Sequence, residues 1–306
     1  MVGGQTMKNV LVIYFSQSGQ LHEIAKSISA PLLADPDVNV VFHKIEMEHP
    51  FPFPWNKELF LDAFPESFSQ IPAPLQPVPL SVLNVKYDLV LFHYQVWFLS
   101  PSIPINSFLK SPEAKQLLNN TPVITVSGSR NMWFLAQEKI KVLLKQNNAL
   151  LKGNIALVDR AGNLISVLTI VEWMFSGIKK KHLGILPLPG VSDKDISESV
   201  KFGHTIHNAL TINDYTGLQD KLVSQGAVKI SPYLVGVDKK GNFIFTKWSS
   251  IIIKSKQKRK QLLKVFVVYL VLAIWVISPI VYILHVITSP FTRSKNKKTI
   301  KYYQGV

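Results

Sequence analysis

The sequence predicts an α/β protein: a five-stranded parallel sheet with helices on both faces, followed by a C-terminal β-hairpin and a hydrophobic membrane segment. Three observations carry this. Apolar runs of one buried strand's length recur at residues 10–15, 38–45, 87–94, 122–128 and 153–159. Stretches with apolar residues at helical spacing stand among them. Near the C-terminus, residues 265–288 run for 24 positions without a charge.

The chain is organised around residues 10–25, VLVIYFSQSGQLHEIA. An apolar strand enters a small polar loop, Ser16-Gln17-Ser18-Gly19-Gln20, and Leu21, Ile24, Ala25 and Ile28 then recur at helical spacing. A helix N-terminus presents unpaired N–H groups and the positive end of the dipole, so this junction favours an anion. Ser16, Ser18 and Gln20 add side-chain donors, and Gly19 permits a sharp turn. The bland alternative is a strand–turn–helix that binds nothing; the loop carries neither the Walker lysine nor GxGxxG.

Residues 38–45 form the second strand. Residues 49–80 follow, where prolines from Pro50 to Pro79 interleave with Phe51, Phe53, Trp55, Phe60, Phe64 and Phe68. Proline density argues against a normal crossover helix, except across 55–63. The aromatics argue against disorder and for an ordered lid or apolar wall. The third strand, 87–94, exits into Gln95-Val96-Trp97-Phe98. Tyr94, Trp97 and Phe98 thus fall at the carboxyl edge of the sheet, where open α/β sheets bind ligands. The competing reading packs them under a neighbouring helix. The fourth strand leads into Ser127-Gly128-Ser129-Arg130-Asn131 and a helix over 132–144, with Lys139, Lys141 and Lys145 on a solvated face. Loops at 16–20, 94–101 and 127–131 converge on one composite site.

Residues 164–178 are apolar but too short to span a membrane; they read as a core helix or as one resting on a membrane surface. The last helix of a domain at 8–210 covers 193–210. His204 and His207 on it lack a further ligand at metal spacing. Around Asp238-Lys239-Lys240-Gly241, residues 228–245 read as a hairpin within an accessory element, 211–253.

Of 34 Lys/Arg, 11 lie in residues 254–306, which hold no Asp/Glu; the rest of the chain has 23 basic against 19 acidic residues. The net charge of +15 therefore belongs mostly to the tail. That argues against a nucleic-acid-binding body and for contact with anionic membrane lipid. The absence of cysteine excludes disulfides and thiolate chemistry. No signal peptide is expected at the short, polar N-terminus. The segment 265–288 reads as a membrane span, kinked at Ser278-Pro279, within an anchor at 254–306. The alternative is a hairpin or interfacial segment bent at Pro279, with both basic flanks on lipid.

On Tyr14-Phe15-Ser16-Gln17-Ser18-Gly19-Gln20, on Asp88–Phe92 running into Trp97-Phe98, and on the loop at 127–131, residues 8–210 resemble the flavodoxin-like superfamily of FMN proteins and quinone reductases. The resemblance implies FMN, with its phosphate on Ser16, Ser18, Gly19, Gln20 and Leu21. It implies Tyr94, Val96, Trp97 and Phe98 beside the isoalloxazine, with Ser127, Gly128, Ser129, Arg130 and Asn131 closing the other side. His93-Tyr94-Gln95 departs from the usual pattern after the third strand. The motifs YFSQSGQL, PFPFPW and SGSRNMW with a hydrophobic basic tail resemble, more closely, the bacterial dialkylresorcinol-forming proteins.

That resemblance implies a flavin-dependent aromatase beside a ketosynthase and an acyl carrier protein. It would oxidise a lipophilic dialkyl-cyclohexanedione to a dialkylresorcinol for aryl-polyene pigments of the flexirubin type. The body would be cytoplasmic, at the bacterial inner membrane. Aromatisation removes two electrons and two protons, work suited to a flavin and a modest base. His93 and His22 are the base candidates; each also has a plain structural reading. The competing functions are a membrane-associated NAD(P)H:quinone reductase and a flavin-free scaffold that docks a ketosynthase or carrier partner.

Overall fold

A computed structural model describes residues 7–306. Residues 1–6, on which the signal-peptide expectation partly rests, lie outside the described residues. Five strands, β1 (Lys8–Tyr14), β2 (Val38–Lys44), β3 (Leu89–Tyr94), β4 (Pro122–Ser129) and β5 (Leu150–Val158), form one parallel sheet. Their order is β2-β1-β3-β4-β5. This is the doubly wound, flavodoxin-like order, and the chain reverses direction across the sheet between β1 and β3.

Period-two alternation sorts the central strands between two cores. Val10 and Val12 with Leu89 and Leu91 face α1 (Gln20–Leu33), which packs beside the later helix α8 (Val200–Thr211). Leu11 and Ile13 with Val90 and Phe92 face the other way, towards α3 (Ile103–Leu109), α4 (Pro112–Leu118) and α5 (Phe134–Gln146). Strands buried on both faces read as continuous apolar runs, which is why the central β1, β3 and β4 are legible; β2, at the edge, is only partly buried. The helix expected over 193–210 is divided into α7 (Asp193–Glu198) and α8.

The proline-rich insertion is ordered. It carries α2 (Lys57–Phe68), capped by Asn56, whose side chain accepts from the backbone N–H of Glu58 and Leu59. Around it, Trp55 donates from its backbone N–H to Met174 O (2.8 Å) and from Nε1 to Gln17 Oε1 (2.9 Å). The insertion therefore bridges the first loop and α6 (Asn163–Ser176), covering the carboxyl edge of the sheet.

The expected C-terminal hairpin is absent. Residues 211–253 form α9 (Leu218–Ser224) and α10 (Pro232–Lys254). Ser231 caps α10, and its buried seam runs Val235, Asp238, Asn242, Phe245, Ser249, Ile252. Those positions alternate at steps of three and four, the helical period, but half are polar, so hydrophobicity alone conceals it. Asp238 is fully buried and accepts from Leu135 N (3.1 Å) and Asn242 Nδ2 (3.0 Å). Those bonds hold a DKKG stretch in a helix where hairpin chemistry was expected.

Lys139 of α5 is likewise not on a solvated face. Its Nζ donates to Phe68 O (3.1 Å) and Ser100 Oγ (3.2 Å) and lies 4.0 Å from the Phe68 ring centroid. Burial holds it down to about 8, opposed by Asp238.

Burial raises Asp238 to about 6, opposed by its backbone and Asn242 hydrogen bonds and by Lys139. A carboxyl raised on folding favours the native state while protonated, and that contribution is lost as pH rises through about 6. Between pH 4.5 and 7.5 the wild type is expected to lose about 2 kcal/mol of stability relative to Asp238→Asn. Denaturant titration of both proteins in detergent at the two pH values checks this.

Beyond α10, the tail is helical: α11 (Arg259–Leu272), one wide turn at Ala273–Ile277, α12 (Ser278–Thr288), a short turn, and α13 (Arg293–Gln304). The wide turn precedes Pro279, which has no N–H to donate to the preceding turn. By length and composition, the Lys256–Gln304 helical stretch can cross a membrane; its most apolar window has mean hydropathy 2.6 and is unburied.

Candidate functional site

Parallel register sets Tyr14 beside His93 and Tyr94 beside Ser127. The loops after β1, β3 and β4 therefore leave the sheet side by side, strands being about 4.8 Å apart. At these strand ends and loops Ser16 Oγ, Gln95 Oε1, Ser127 Oγ, Ser129 Oγ and Asn131 Oδ1 are buried and, among the described residues, lack a hydrogen-bond partner. Buried polar atoms are rarely left so, and five gathered at one edge mark a candidate place for a ligand. At the start of α1, Gly19 sits in the left-handed region (φ 87°) and no side chain caps the helix. Leu21 is buried in the core and offers the site only its backbone.

Several predicted site residues have other work. Gln20 Nε2 donates to Val191 O (2.9 Å) while its Oε1 accepts from Val191 N (2.9 Å), tying α1 to the loop before α7. Tyr94 is fully buried on the α5 side and donates to Gln137 Oε1 (2.7 Å), away from the loops. Ser127 is buried beside it. Val96 is half-buried and pairs with Pro101. Trp97 is ringed by Phe15 (5.9 Å), Phe51 (5.1 Å) and Trp55 (5.2 Å). Phe98 packs on Phe60 (4.8 Å) and Phe64 (5.4 Å). These aromatics hold the insertion down on the sheet edge rather than presenting a matched pair of free faces.

A Cβ at Gly128 would lie 3.0 Å from Leu21 Cδ1 and 3.2 Å from Ile24 Cδ1, so these side-chain ends would have to give way by a few tenths of an ångström. Arg130 Nη1 donates to Asn163 O (3.0 Å) and Oδ1 (2.9 Å); burial lowers it to about 10, opposed by Asp159. Ser18 opens onto a cavity of about 510 Å³ that also holds Lys179 and Asp193, an ion pair at 2.7 Å.

The two histidines are apart from the large cavity described below. His93 has no exposed surface, and burial drives it down to about 4, so its imidazole is neutral. Its Nδ1 lies 3.2 Å from the Leu91 carbonyl; a carbonyl only accepts, so the proton is on Nδ1. His22 is half-buried and stacks on Tyr14 at 4.7 Å; burial, with Lys26 next, lowers its pKa. His207 of α8 pairs with Asp35 (2.6 Å) rather than with His204.

A cavity of about 870 Å³ begins at Asn131 and Asn163 and runs out between α6, α10 and α12. Asp159 is in its wall, accepting from Ala161 N (2.8 Å), Ser166 Oγ (2.9 Å) and Gly190 N (3.2 Å), and so shapes the loop after β5. Sequence reasoning missed Asp159, Asn163 and Tyr233. A signal existed for the first two: Asp159-Arg160-Ala161-Gly162-Asn163 is a fourth polar loop at a strand's carboxyl end. Nothing local marks Tyr233.

No protein-family model matches the chain, and no curated protein does. Among solved structures, it is similar to a flavoprotein in complex with FMN from Lactobacillus acidophilus NCFM, at 18% identity and a TM-score of 0.39, covering 49% of this chain and 93% of that one. It is also similar to a flavodoxin from the domain Archaea, at 11% identity and a TM-score of 0.36, covering 66% and 98%. An oxidoreductase from Corynebacterium diphtheriae is similar at 11% identity and a TM-score of 0.36, covering 68% and 99%.

Proposed function

We propose that the protein is an FMN-dependent oxidoreductase whose substrate is a lipophilic ring compound. The observation that carries this is the set of unpartnered polar atoms, those of Ser16, Gln95 and Ser129 among them, at the carboxyl edge by the β1/β3 reversal of a flavodoxin-like sheet. Open sheets of this order take ligands there. Ser16, Ser18 and the backbone N–H groups from Gly19 to Leu21 would hold the phosphate, and Gln95 and Ser129 the polar edge of the remainder. FMN supplies a two-electron acceptor when bound.

The finer reading rests on the resemblance to dialkylresorcinol-forming proteins. A dialkyl-cyclohexanedione loses two electrons and two protons to become a dialkylresorcinol, downstream of a ketosynthase and an acyl carrier protein. The α-protons of a 1,3-dione are acidic, so water or a weak base suffices. The chain's own contribution is to bind and orient: Asp159 sets the loop beside Asn163, and the lid over the sheet edge excludes water. An apolar C-terminal segment fits a substrate dissolved in the bacterial inner membrane, with the body on the cytoplasmic face.

The test is the visible absorption spectrum of the detergent-purified protein. Flavin bands near ~370 and ~450 nm, the usual pair for this cofactor class, are expected, and Ser18→Asp is expected to remove them by setting a carboxylate against the phosphate. Aerobic conversion of a dialkyl-cyclohexanedione then tests the substrate. A colourless wild type that takes up no added FMN would overturn the redox reading in favour of a partner-docking scaffold.

A further inference from the structure

The apolar tail returns to the body it leaves. At its start, Arg259 pairs with Asp62 (2.5 Å) and Glu66 (2.6 Å), and Phe266 stacks on Phe64 at 4.1 Å. Midway, Tyr233 of α10 bonds Ser278 Oγ (3.0 Å) and lies 5.1 Å from the Tyr282 ring. At the far end, Tyr302 donates to Glu138 Oε2 (2.7 Å) and Tyr303 packs on Phe134 at 5.5 Å. A segment with both ends on one body cannot deliver its far end across a ~30 Å hydrocarbon core. It can bury an outward face in one leaflet.

That face is apolar: Val268, Val276, Ile280 and Ile287 are all more than half exposed. A second apolar surface lies on α6 and the loop after it, where Leu183 and Ile185 are 77% and 80% exposed. The 870 Å³ cavity opens between the two, with Ile165 of α6 on one lip and Pro279 and Ile283 of α12 on the other.

Its inner end is polar and incomplete. Arg130 can only donate, and it donates to Asn163 Oδ1 (2.9 Å). The same oxygen accepts from Asn131 Nδ2 (3.2 Å), which fixes the Asn131 amide and leaves its Oδ1 unpartnered among the described residues. Asn131 is only 7% exposed. A buried carbonyl oxygen of this kind calls for a donor. An ionised phosphodiester has none; an enol or phenol hydroxyl does.

We propose that this cavity binds a neutral amphiphile entering sideways from the bilayer, its hydroxyl on Asn131 Oδ1 and its alkyl tail between α6 and α12. Identifying the head with the substrate ring rests on the function proposed above; the tail channel does not. Asn131 and Ile283 then become substrate-binding residues.

The probe is an alkylresorcinol with a diazirine at the tail end, photolysed with the full-length protein in nanodiscs. Mass spectrometry is expected to find label on residues 160–166 and 278–285. Ile165→Trp and Ile283→Trp, both at exposed positions, are expected to cut that labelling about tenfold with unchanged melting temperature. The dimethyl ether of the probe, lacking donors, is expected to bind wild type about tenfold more weakly, the worth of one hydrogen bond. Asn131→Leu is expected to erase that preference.

Labelling that both tryptophan variants leave intact would overturn the channel, as would equal labelling by a diazirine phosphatidylcholine, which would mean lipid filling only. A preference that survives Asn131→Leu would overturn the head-group assignment. Absent flavin with intact labelling would overturn the redox function and leave the channel standing.

Discussion

Phe266→Ala is expected to destabilise the protein by about 3–5 kcal/mol and to free the start of the apolar tail. Phe266 has no exposed surface. Its ring stacks on Phe64 with planes 4° apart, and Phe245 (5.4 Å) and Trp248 (5.7 Å) pack on it edge-on or tilted. Truncation removes that burial and leaves a cavity between α2, α10 and α11, lined by Phe64, Phe245 and Trp248. Chemical denaturation in detergent measures the loss, and limited proteolysis near Lys264 reports the release. Val268→Ala, two residues on and 61% exposed, is the control and is expected to change stability by less than ~0.5 kcal/mol. Equal, small effects of the two would mean that the tail does not dock on the body and is free to cross a bilayer.

Gly203→Ala is expected to cost about 3 kcal/mol or more, against the usual sign of the substitution. In a helix interior, glycine to alanine normally gains about 1 kcal/mol. Here α8 crosses α1 so closely that a Cβ at 203 would lie 2.1 Å from the Ile28 carbonyl oxygen and 2.9 Å from Pro31 Cδ. Backbone oxygen cannot swing aside as a side chain does, so the helices must separate and open the core around Ile24, Ile28 and Ile206. The same shift tilts α1, whose first turn carries Gly19 and the candidate phosphate site. Thermal unfolding and FMN titration are therefore expected to worsen together. Gly217→Ala, where a Cβ would meet nothing within 4 Å, gives the measure of backbone strain alone at its φ of 68°.

The candidate site was partly legible, and the residues divide by the range of the interaction that decides them. Ser16, Ser18 and Gly19 could be read because a strand, a polar turn and a helix are a local pattern. Ser129 and Asn131 could be read for the same reason after β4. Gln20 could not: its partner, Val191, lies 171 positions away. Trp97 and Phe98 were legible as aromatics at the sheet edge, but only the docked insertion decides that other aromatics flank them.

By itself the sequence determined the five strands, their parallel character, the ordered proline-rich insertion and the unusual apolarity of residues 265–288. Each depends on composition within a window of some 5–30 residues, which is the range over which periodicity and proline chemistry act. Only the tertiary structure decided the rest. The hairpin became α10 because Asp238 and Asn242 find buried partners that no local window contains, and Lys139 left the surface for the same region. The tail's path was decided at three distant contacts, Arg259 with α2, Tyr233 with Ser278, and Tyr303 with Phe134. A hydropathy window registers how apolar a segment is; whether it crosses a bilayer or lies upon it depends on what holds its two ends.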